Sequence, residues 1–456
     1  MPCVMELWRE NMSKLSTVED KNAKGQLIFA ATCDLAGKVR GKAFLKSDLE
    51  RRLKRGMGWV PTNVQINCFD GIGETPFGAL GDLLLIPDQA AAVNADFGTY
   101  SEHFMLGDIM TLEGEPWDFC TRAILKSALA RLEHLSGVRL IAAFEHEFQL
   151  KRELGLIGEG FGRTGFEMHR PLCETLMQQI HAAGLSPDSI MKEYGPNQYE
   201  VVIAPEEGVR AADAAVIIKE LTRSTARFHG EEATFTPIRD PASVGNGVHM
   251  HMSFLNADNS PATYDADKPY GMSDLTGAFA AGVLKYLDAI VAITAPSVIS
   301  YLRLTPHRWS AAFNNLGFRD REASLRICPV TAKEPTDIAR QYNIECCAAD
   351  AAACPHLALA AVVHAGCQGI QEGLTAPTPT EEDLSLLPAT ELSKRGFVRL
   401  PESLDEALNR FIENDIVRGW FPDTFASVYK AHKDSEIAHL AEMDTAARCQ
   451  LYEAVY

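Results

Sequence analysis

Two segments of this 456-residue chain place paired ionisable side chains on stretches that otherwise read as buried strand. In Phe144-Glu-His-Glu-Phe-Gln-Leu, Glu145 and Glu147 stand two apart, so on a strand both carboxylates face the same side. In Gly245-Asn-Gly-Val-His-Met-His-Met-Ser, His249 and His251 share a face in the same way. An isolated ExE is more often a solvated face. Here the flanks Ile141-Ala-Ala-Phe and Phe148 are apolar, and like charges on such a strand are costly unless something positive lies between them. That combination favours a sheet with one polar, cation-holding face.

Further segments supply compatible groups. Glu193 and Glu200 flank Gly195-Pro196. Their odd spacing would oppose them on one strand, but the turn re-aims the chain and allows both to converge. Gly245 and Gly247 permit close backbone approach just before the two histidines. Glu345 precedes Ala351–Gln371, the longest uncharged stretch, which reads as a buried helix because prolines, histidines and glycines interrupt it. Between Arg303 and Arg340 lies the one basic region, with Arg303, Arg308, Arg319, Arg321, Arg326 and Arg340. Five glutamates and His249 fit a pair of hard divalent cations, Mg²⁺ or Mn²⁺. The arginines fit phosphoryl transfer, where catalysis is largely positioning and charge neutralisation. No P-loop, kinase or dinucleotide glycine motif offers another phosphate site.

Lys plus Arg total 43 against 61 Asp plus Glu, a net charge of −18. This argues against nucleic-acid partners and against adsorption to anionic membranes. The eleven cysteines show no CxxC pair and read as reduced, buried thiols. The first fifteen residues carry Glu6, Arg9 and Glu10 where a signal peptide needs an apolar run, so a cytoplasmic protein is expected. Residues 26–33 and 38–44 read as two strands around a turn, 47–55 as a helix capped by Ser47, and 81–88 as a short strand. Beyond the linker at 112–119, strands and helices alternate. Strands are expected at 138–150, 198–203 and 247–254, and helices at 122–135, 166–183, 211–228 and 273–292. The tail from Glu381 reads as helical, with a marked helix start at Pro401.

The order ExE, E(x6)E, GxGxHxH, RLxP, RxxxLR and IE before a proline-containing helix resembles the glutamine synthetase family, over most of the chain. The resemblance implies an α+β fold. A small β-grasp-like N-terminal domain (1–113) would precede a large catalytic domain (114–456) with a curved antiparallel sheet and flanking helices. It implies an ATP-dependent ligase acting on glutamate through γ-glutamyl phosphate, in a homo-oligomer of stacked rings, a dodecamer, with sites between neighbouring subunits. Carried over residue by residue, Glu147, Glu193 and Glu200 would hold one Mg²⁺ or Mn²⁺, and Glu145, His249 and Glu345 the other, beside the phosphates. His251 and Ser253 would lie by the nucleotide. Gly245 and Gly247 would line the glutamate site, and Arg303 would grip the α-carboxylate. Arg321 and Arg326 would neutralise phosphate charge.

Two departures direct the reading. The family's RLxPGYE segment ends in a flap glutamate that helps deprotonate ammonium. Here the segment is Arg303-Leu-Thr-Pro-His-Arg-Trp, so Trp309 takes that place. An indole takes no proton from ammonium, but it can pack against an apolar amine and exclude water. The chain therefore resembles the branch that makes γ-glutamylamides from alkylamines or arylamines such as aniline. The alternatives are an ordinary ammonia-using glutamine synthetase or a catalytically reduced binding or structural relative. The second departure is Cys347, where the family has an arginine two residues after the metal glutamate. Arg308 and Arg340 are the candidates to compensate.

Overall fold

The computed structural model describes residues 26–456 apart from positions 75, 153, 154, 156 and 157. The reading of the first fifteen residues lies outside the described residues. Strands β1 (Leu27–Cys33), β2 (Val39–Leu45), β3 (Met57–Trp59), β4 (Leu83–Asp96) and β5 (Ser101–Met110) form a sheet in the order β2-β1-β5-β4-β3. Its central pair, β1 with β5, is parallel and the others are antiparallel. Helix α1 (Leu49–Arg55) packs against β4.

The second sheet has nine strands: β6 (Arg139–Leu150), β7 (Pro187–Lys192), β8 (Gln198–Ile203), β9 (Glu206–Glu207), β10 (Ala233–Thr234), β11 (Val248–Leu255), β12 (Leu316–Phe318), β13 (Leu325–Ile327) and β14 (Ile344–Cys346). The main order is β12-β13-β14-β11-β6-β8-β7, with β9 and β10 also paired to β6. All neighbours are antiparallel except β12 with β13, so the sheet is mixed rather than purely antiparallel as expected. The fold is α+β, as the sequence implied.

The helices that carry this sheet are α2 (Thr121–Ser136), α3 (Arg163–Met168), α4 (Arg170–Ala182), α5 (Val209–Phe228), α6 (Asp274–Thr294), α7 (Ser300–Arg303), α8 (Pro335–Gln341) and α9 (Pro355–Gln371). Along β6 the residues Leu140, Ala142, Phe144, His146 and Phe148 are buried, and α5 packs against the strand. The alternate residues Glu145 and Glu147 are left on the open face. Helix α6 is long and apolar enough to cross a membrane, but most of it is buried inside the protein. It packs on α9, where glycines set the approach. A Cβ on Gly282 would lie 2.3 Å from the Ala365 carbonyl, and one on Gly366 would meet the Phe279 ring.

Local expectations failed where local signals compete with pairing. Ser47 does not cap a helix, because 46–48 forms a 3₁₀ turn and α1 starts only at Leu49. The strand expected to end at Asp88 runs on to Asp96, with Pro87 beside a register shift that accommodates its missing N–H. The helix expected over 166–183 is split at His169, whose ring bonds Tyr199 Oη at 2.9 Å. Every cysteine among the described residues is free and buried.

Arg122 ties the two sheets together. It is 1% exposed on α2 and reaches Asp88 (2.9 Å) and Asp108 (3.1 Å) from the small sheet, and Asp213 on α5 (2.9 Å). Asp213 also meets His356 at 2.8 Å. Removing one member of a buried ionic network leaves an uncompensated charge at a cost of about 3–5 kcal/mol. Arg122→Met should lower stability by about that amount, read as a shift in the urea unfolding midpoint. A loss under about 1 kcal/mol would mean that the network does not join the sheets.

Candidate active site

Pairing explains how distant segments meet. Across the open face of the second sheet, Arg326 on β13 lies opposite Glu345 on β14, and Glu345 lies opposite His251 on β11. One pleat along, His249 on β11 lies opposite Glu145 on β6. On the other side of β6, Glu147 lies opposite Glu200 on β8. Glu193 follows the end of β7, and its N–H donates to the Gln198 carbonyl at 2.8 Å. The β7–β8 hairpin therefore puts Glu193 beside Gln198 and on the face that Glu200 shares. All six residues expected to ligate cations thus belong to one face, together with His251.

Their grouping differs from the division the resemblance implies: Glu200 stands with Glu145 and His249 rather than with Glu147 and Glu193, and Glu345 stands with His251 and Cys328. Ligand atoms of Glu145, Glu200 and His249 lie within 4.8 Å of one another, and so do those of His251, Cys328 and Glu345. His249 Nδ1 is 3.6 Å from Glu145 Oε2, and His251 Nε2 is 3.2 Å from Glu145 Oε1. Glu147 is held by Gly247 N–H (2.8 Å) and Gln198 Nε2 (3.1 Å), while Glu193 accepts from Tyr194 N–H at 3.0 Å.

The electrostatics are those of a crowded anionic face. Burial, then the charges of Glu145 and Glu147, push Glu200 up to about 8. Burial and then Glu147 also raise Glu193. Burial opposes ionisation of Glu145, but His249 and His251 outweigh it and hold that carboxyl well below the usual range. Burial likewise opposes a charged His251, yet Glu145 and Glu345 raise it to about 9. Such a face binds protons where it would otherwise hold cations. Carboxylate and imidazole donors in this density fit divalent metal ions, and they would also neutralise Glu200 and Glu193.

The glutamate-side residues also meet. Arg303 is 3% exposed and donates from Nη1 to Ser310 Oγ (3.0 Å) and from Nη2 to the Ala349 carbonyl. Its Nε has no partner. A Cβ on Gly245 would lie 2.6 Å from Arg303 Cδ, too close for a side chain there, and one on Gly247 would lie 3.1 Å from Nη1, a tight contact that would press on the guanidinium. Ser253 lines a cleft of about 520 Å³ with Ile141, Pro205 and Arg340. Arg321 and Arg326 line another, of about 650 Å³, with Arg319 and the rings of Tyr264, Tyr270 and Tyr342.

The two arginines proposed to compensate for Cys347 are engaged with other partners. Arg308 binds the carbonyls of Ser243 (2.6 Å) and Pro241 (2.8 Å), and Arg340 faces Asp337 on α8. Instead Cys347 Sγ donates to Glu345 Oε1 (3.2 Å), the same oxygen that Arg326 Nη1 reaches at 2.9 Å.

The sequence reading missed three features. Gln198 ties Glu147 to the Gly245 carbonyl and Asn246, although it sits inside the quoted E(x6)E motif. Cys328 donates to Glu345 Oε2 at 3.1 Å, and its place two residues after Arg326 was a usable signal. Phe161 and Tyr194 form a cluster with Trp309, at centroid distances of 6.3 Å and 5.7 Å from the indole. No short-range pattern brings those three together. The Trp309 turn itself is fixed by Glu322, which accepts from the N–H groups of His307 (3.0 Å) and Trp309 (2.9 Å).

A family model for the glutamine synthetase catalytic domain matches residues 118–452, and one for the glutamine synthetase N-terminal domain matches residues 12–117. The chain is 30% identical over 403 residues to gamma-glutamylpolyamine synthetase GlnA3 of Streptomyces coelicolor, covering 86% of this chain and 85% of that protein. The crystal structure of a glutamine synthase homolog superposes with a TM-score of 0.86 at 38% identity, over 94% of this chain and 98% of that one. A GmaS/ADP complex shares the fold with a TM-score of 0.80 at 22% identity, over 99% of each chain.

The raised groups set a pH dependence. Between 4.5 and about 8 the folded protein keeps a proton on Glu200 that the unfolded chain releases; between 6.5 and about 9 the same holds for His251. The native state then binds more protons, so these groups lower stability as pH rises. Bound cations displace those protons. The rise in melting temperature on adding Mn²⁺ to chelator-treated protein should therefore grow from about pH 6.5 to about pH 8. A pH-independent rise would place the cations away from Glu200 and His251.

Proposed function

The chain belongs to the glutamine synthetase family of ligases, and we propose that it joins the γ-carboxylate of glutamate to an organic amine, with ATP converted to ADP through γ-glutamyl phosphate. The observation that carries the reading is the wall formed by Phe161, Tyr194 and Trp309 beside Glu193, at the place where the family's flap acid is expected. A wall of three rings offers apolar area that an alkyl or aryl body can cover and that ammonium, having no such body, cannot. It also keeps water from the acyl phosphate, the function of the flap that needs no acid.

In this reading Arg303, admitted by Gly245 and Gly247, holds the glutamate α-carboxylate. Arg321 and Arg326 neutralise the transferring phosphate. His251 and Ser253 lie by the nucleotide. Glu145, Glu147, Glu193, Glu200, His249 and Glu345 would hold two or more Mg²⁺ or Mn²⁺ ions, which supply charge neutralisation around the phosphates. The similarity to a gamma-glutamylpolyamine synthetase supports an organic acceptor. The family's use of ATP and divalent metals supports the cofactors, and its oligomeric habit supports a homo-oligomer of stacked rings, a dodecamer. In that assembly a neighbouring subunit would cover the rings, which are 55%, 59% and 58% exposed in the single chain. The division at 1–113 and 114–456, and a cytoplasmic location, belong to the same proposal.

The deciding experiment measures ADP release with ATP, Mg²⁺ and glutamate against ammonium, methylamine, isopropylamine, ethanolamine, a polyamine and aniline, with product masses. Turnover with an organic amine is expected. Turnover with ammonium alone would return the chain to ordinary glutamine synthesis, and silence across the panel would mark a non-catalytic relative.

Trp309→Glu should lower kcat/KM for the organic amine about tenfold or more and raise the relative rate with ammonium, since one pocket contact is worth about 1–3 kcal/mol of discrimination. Unchanged selectivity would reduce the indole to packing.

A further inference from the structure

The residue after β13 places a thiol where a site for hard divalent cations has no use for one. Cys328 is 7% exposed, and its backbone N–H bonds the Asn343 carbonyl at 3.1 Å, so the chain fixes it beside β14. Its Sγ lies 3.1 Å from Glu345 Oε2 and 3.5 Å from His251 Nδ1. Glu345 Oε2 in turn lies 3.7 Å from His251 Nε2. That nitrogen is buried and makes no aligned hydrogen bond, although two carboxylates stand near it. Nitrogen, sulfur and oxygen donors thus converge, with all donor atoms within 4.8 Å of one another. Metal–sulfur and metal–nitrogen bonds of about 2.3 Å and about 2.0 Å, set tetrahedrally, space their donors by roughly 3.5 Å. The Sγ–Oε2 edge, 3.1 Å, and the Oε2–Nε2 edge, 3.7 Å, are already close to that, and the 4.8 Å limit bounds the third.

We infer that His251, Cys328 and Glu345 form a site for a thiophilic divalent cation such as Zn²⁺ or Co²⁺. Hard Mg²⁺ takes oxygen ligands, whereas a thiol beside an imidazole and a carboxylate selects softer ions. On binding, the cation takes the place of the Cys328 thiol proton, which leaves to solvent, and the sulfur becomes an anionic ligand. Asn343 Oδ1 lies 2.9 Å from His251 Nδ1 and orients the ring. Cys347 also bonds Glu345, but through the other oxygen, Oε1, which Arg326 shares, so it stays outside the site. Nothing here depends on the acceptor amine. The consequence for the enzyme is direct: a soft ion at Glu345 and His251 occupies residues assigned above to the metal and nucleotide sites, so Zn²⁺ antagonises Mg²⁺-supported turnover.

The test is spectroscopic and needs no substrate. Chelator-treated full-length protein is titrated with Co²⁺ alone. A thiolate-to-cobalt charge-transfer band in the near ultraviolet is expected at one equivalent per chain, removed by Zn²⁺ and unaffected by equimolar Mg²⁺. Cys328→Ser and Cys328→Ala should both abolish the band and weaken Co²⁺ binding about tenfold or more, while Cys347→Ser keeps it. Absence of the band in the wild-type protein overturns the site, whatever the variants do. So does loss of the band in Cys347→Ser alone, or its survival in both Cys328 variants.

Discussion

The structure depends on confining like charges to one face of a sheet. Glu145, Glu147, Glu193, Glu200 and Glu345 meet there with two imidazoles, and Arg326 is the only guanidinium that bonds one of these carboxylates among the described residues. Left alone, such a face repels itself, and the response is visible in Glu200, pushed up to about 8. What holds the face together is the other side of the same strands. The buried row Leu140, Ala142, Phe144, His146 and Phe148 packs toward α5; the aromatic pair Phe148–Tyr199 joins β6 to β8, and Phe148–Phe235 joins β6 to the residue after β10. A slip of one residue would turn the carboxylates into the core, so apolar burial underneath sets the geometry above.

The same logic explains Glu345. A carboxylate that is 3% exposed needs donors on both oxygens. Oε1 receives Arg326 and Cys347, and Oε2 receives Cys328. Where the family places a second arginine, this chain has a thiol, which satisfies a lone pair without adding positive charge. The pocket is thereby less cationic than the family pattern implies. Arg303 does not bond the Cys347 thiol: its partners are Ser310 Oγ and the Ala349 backbone carbonyl.

Much of the site was legible because period and order are local or nearly so. ExE and HxH on apolar strands announced their shared face, and β8 spans the 198–203 expected of it. The tying residues were not legible. Gln198 reaches Glu147 and the Gly245 carbonyl across a hairpin, and Glu322 reaches back to His307 and Trp309 across a turn. Each is a polar residue of ordinary type whose partner is set by tertiary pairing. The division of ligands that the resemblance implies differs from the observed grouping for the same reason: it is a matter of which side-chain tips converge, and the motif order is silent on that. In the small sheet, Pro87-Asp88 looked like an end because its local chemistry is that of a turn, yet pairing with β5 carried the strand through.

The turn that presents Trp309 shows how acceptor chemistry can change without refolding. His307 and Trp309 both sit at positive φ, 60° and 52°, conformations that cost a non-glycine residue about 1–3 kcal/mol each. They persist because Glu322 accepts both N–H groups, so a carboxylate inside the turn, and not the side chain at 309, fixes the backbone. The Trp309 ring contributes little to that anchoring, being 58% exposed and touching only Phe161 and Tyr194 among aromatic neighbours. A position whose backbone is held from elsewhere can exchange an acid for an indole at little cost to the fold. On the proposed reading, the exchange alters what the flap can do, from taking a proton to presenting a hydrophobic wall. On that reading, position 309 can therefore vary while the carboxylate face beneath stays as it is.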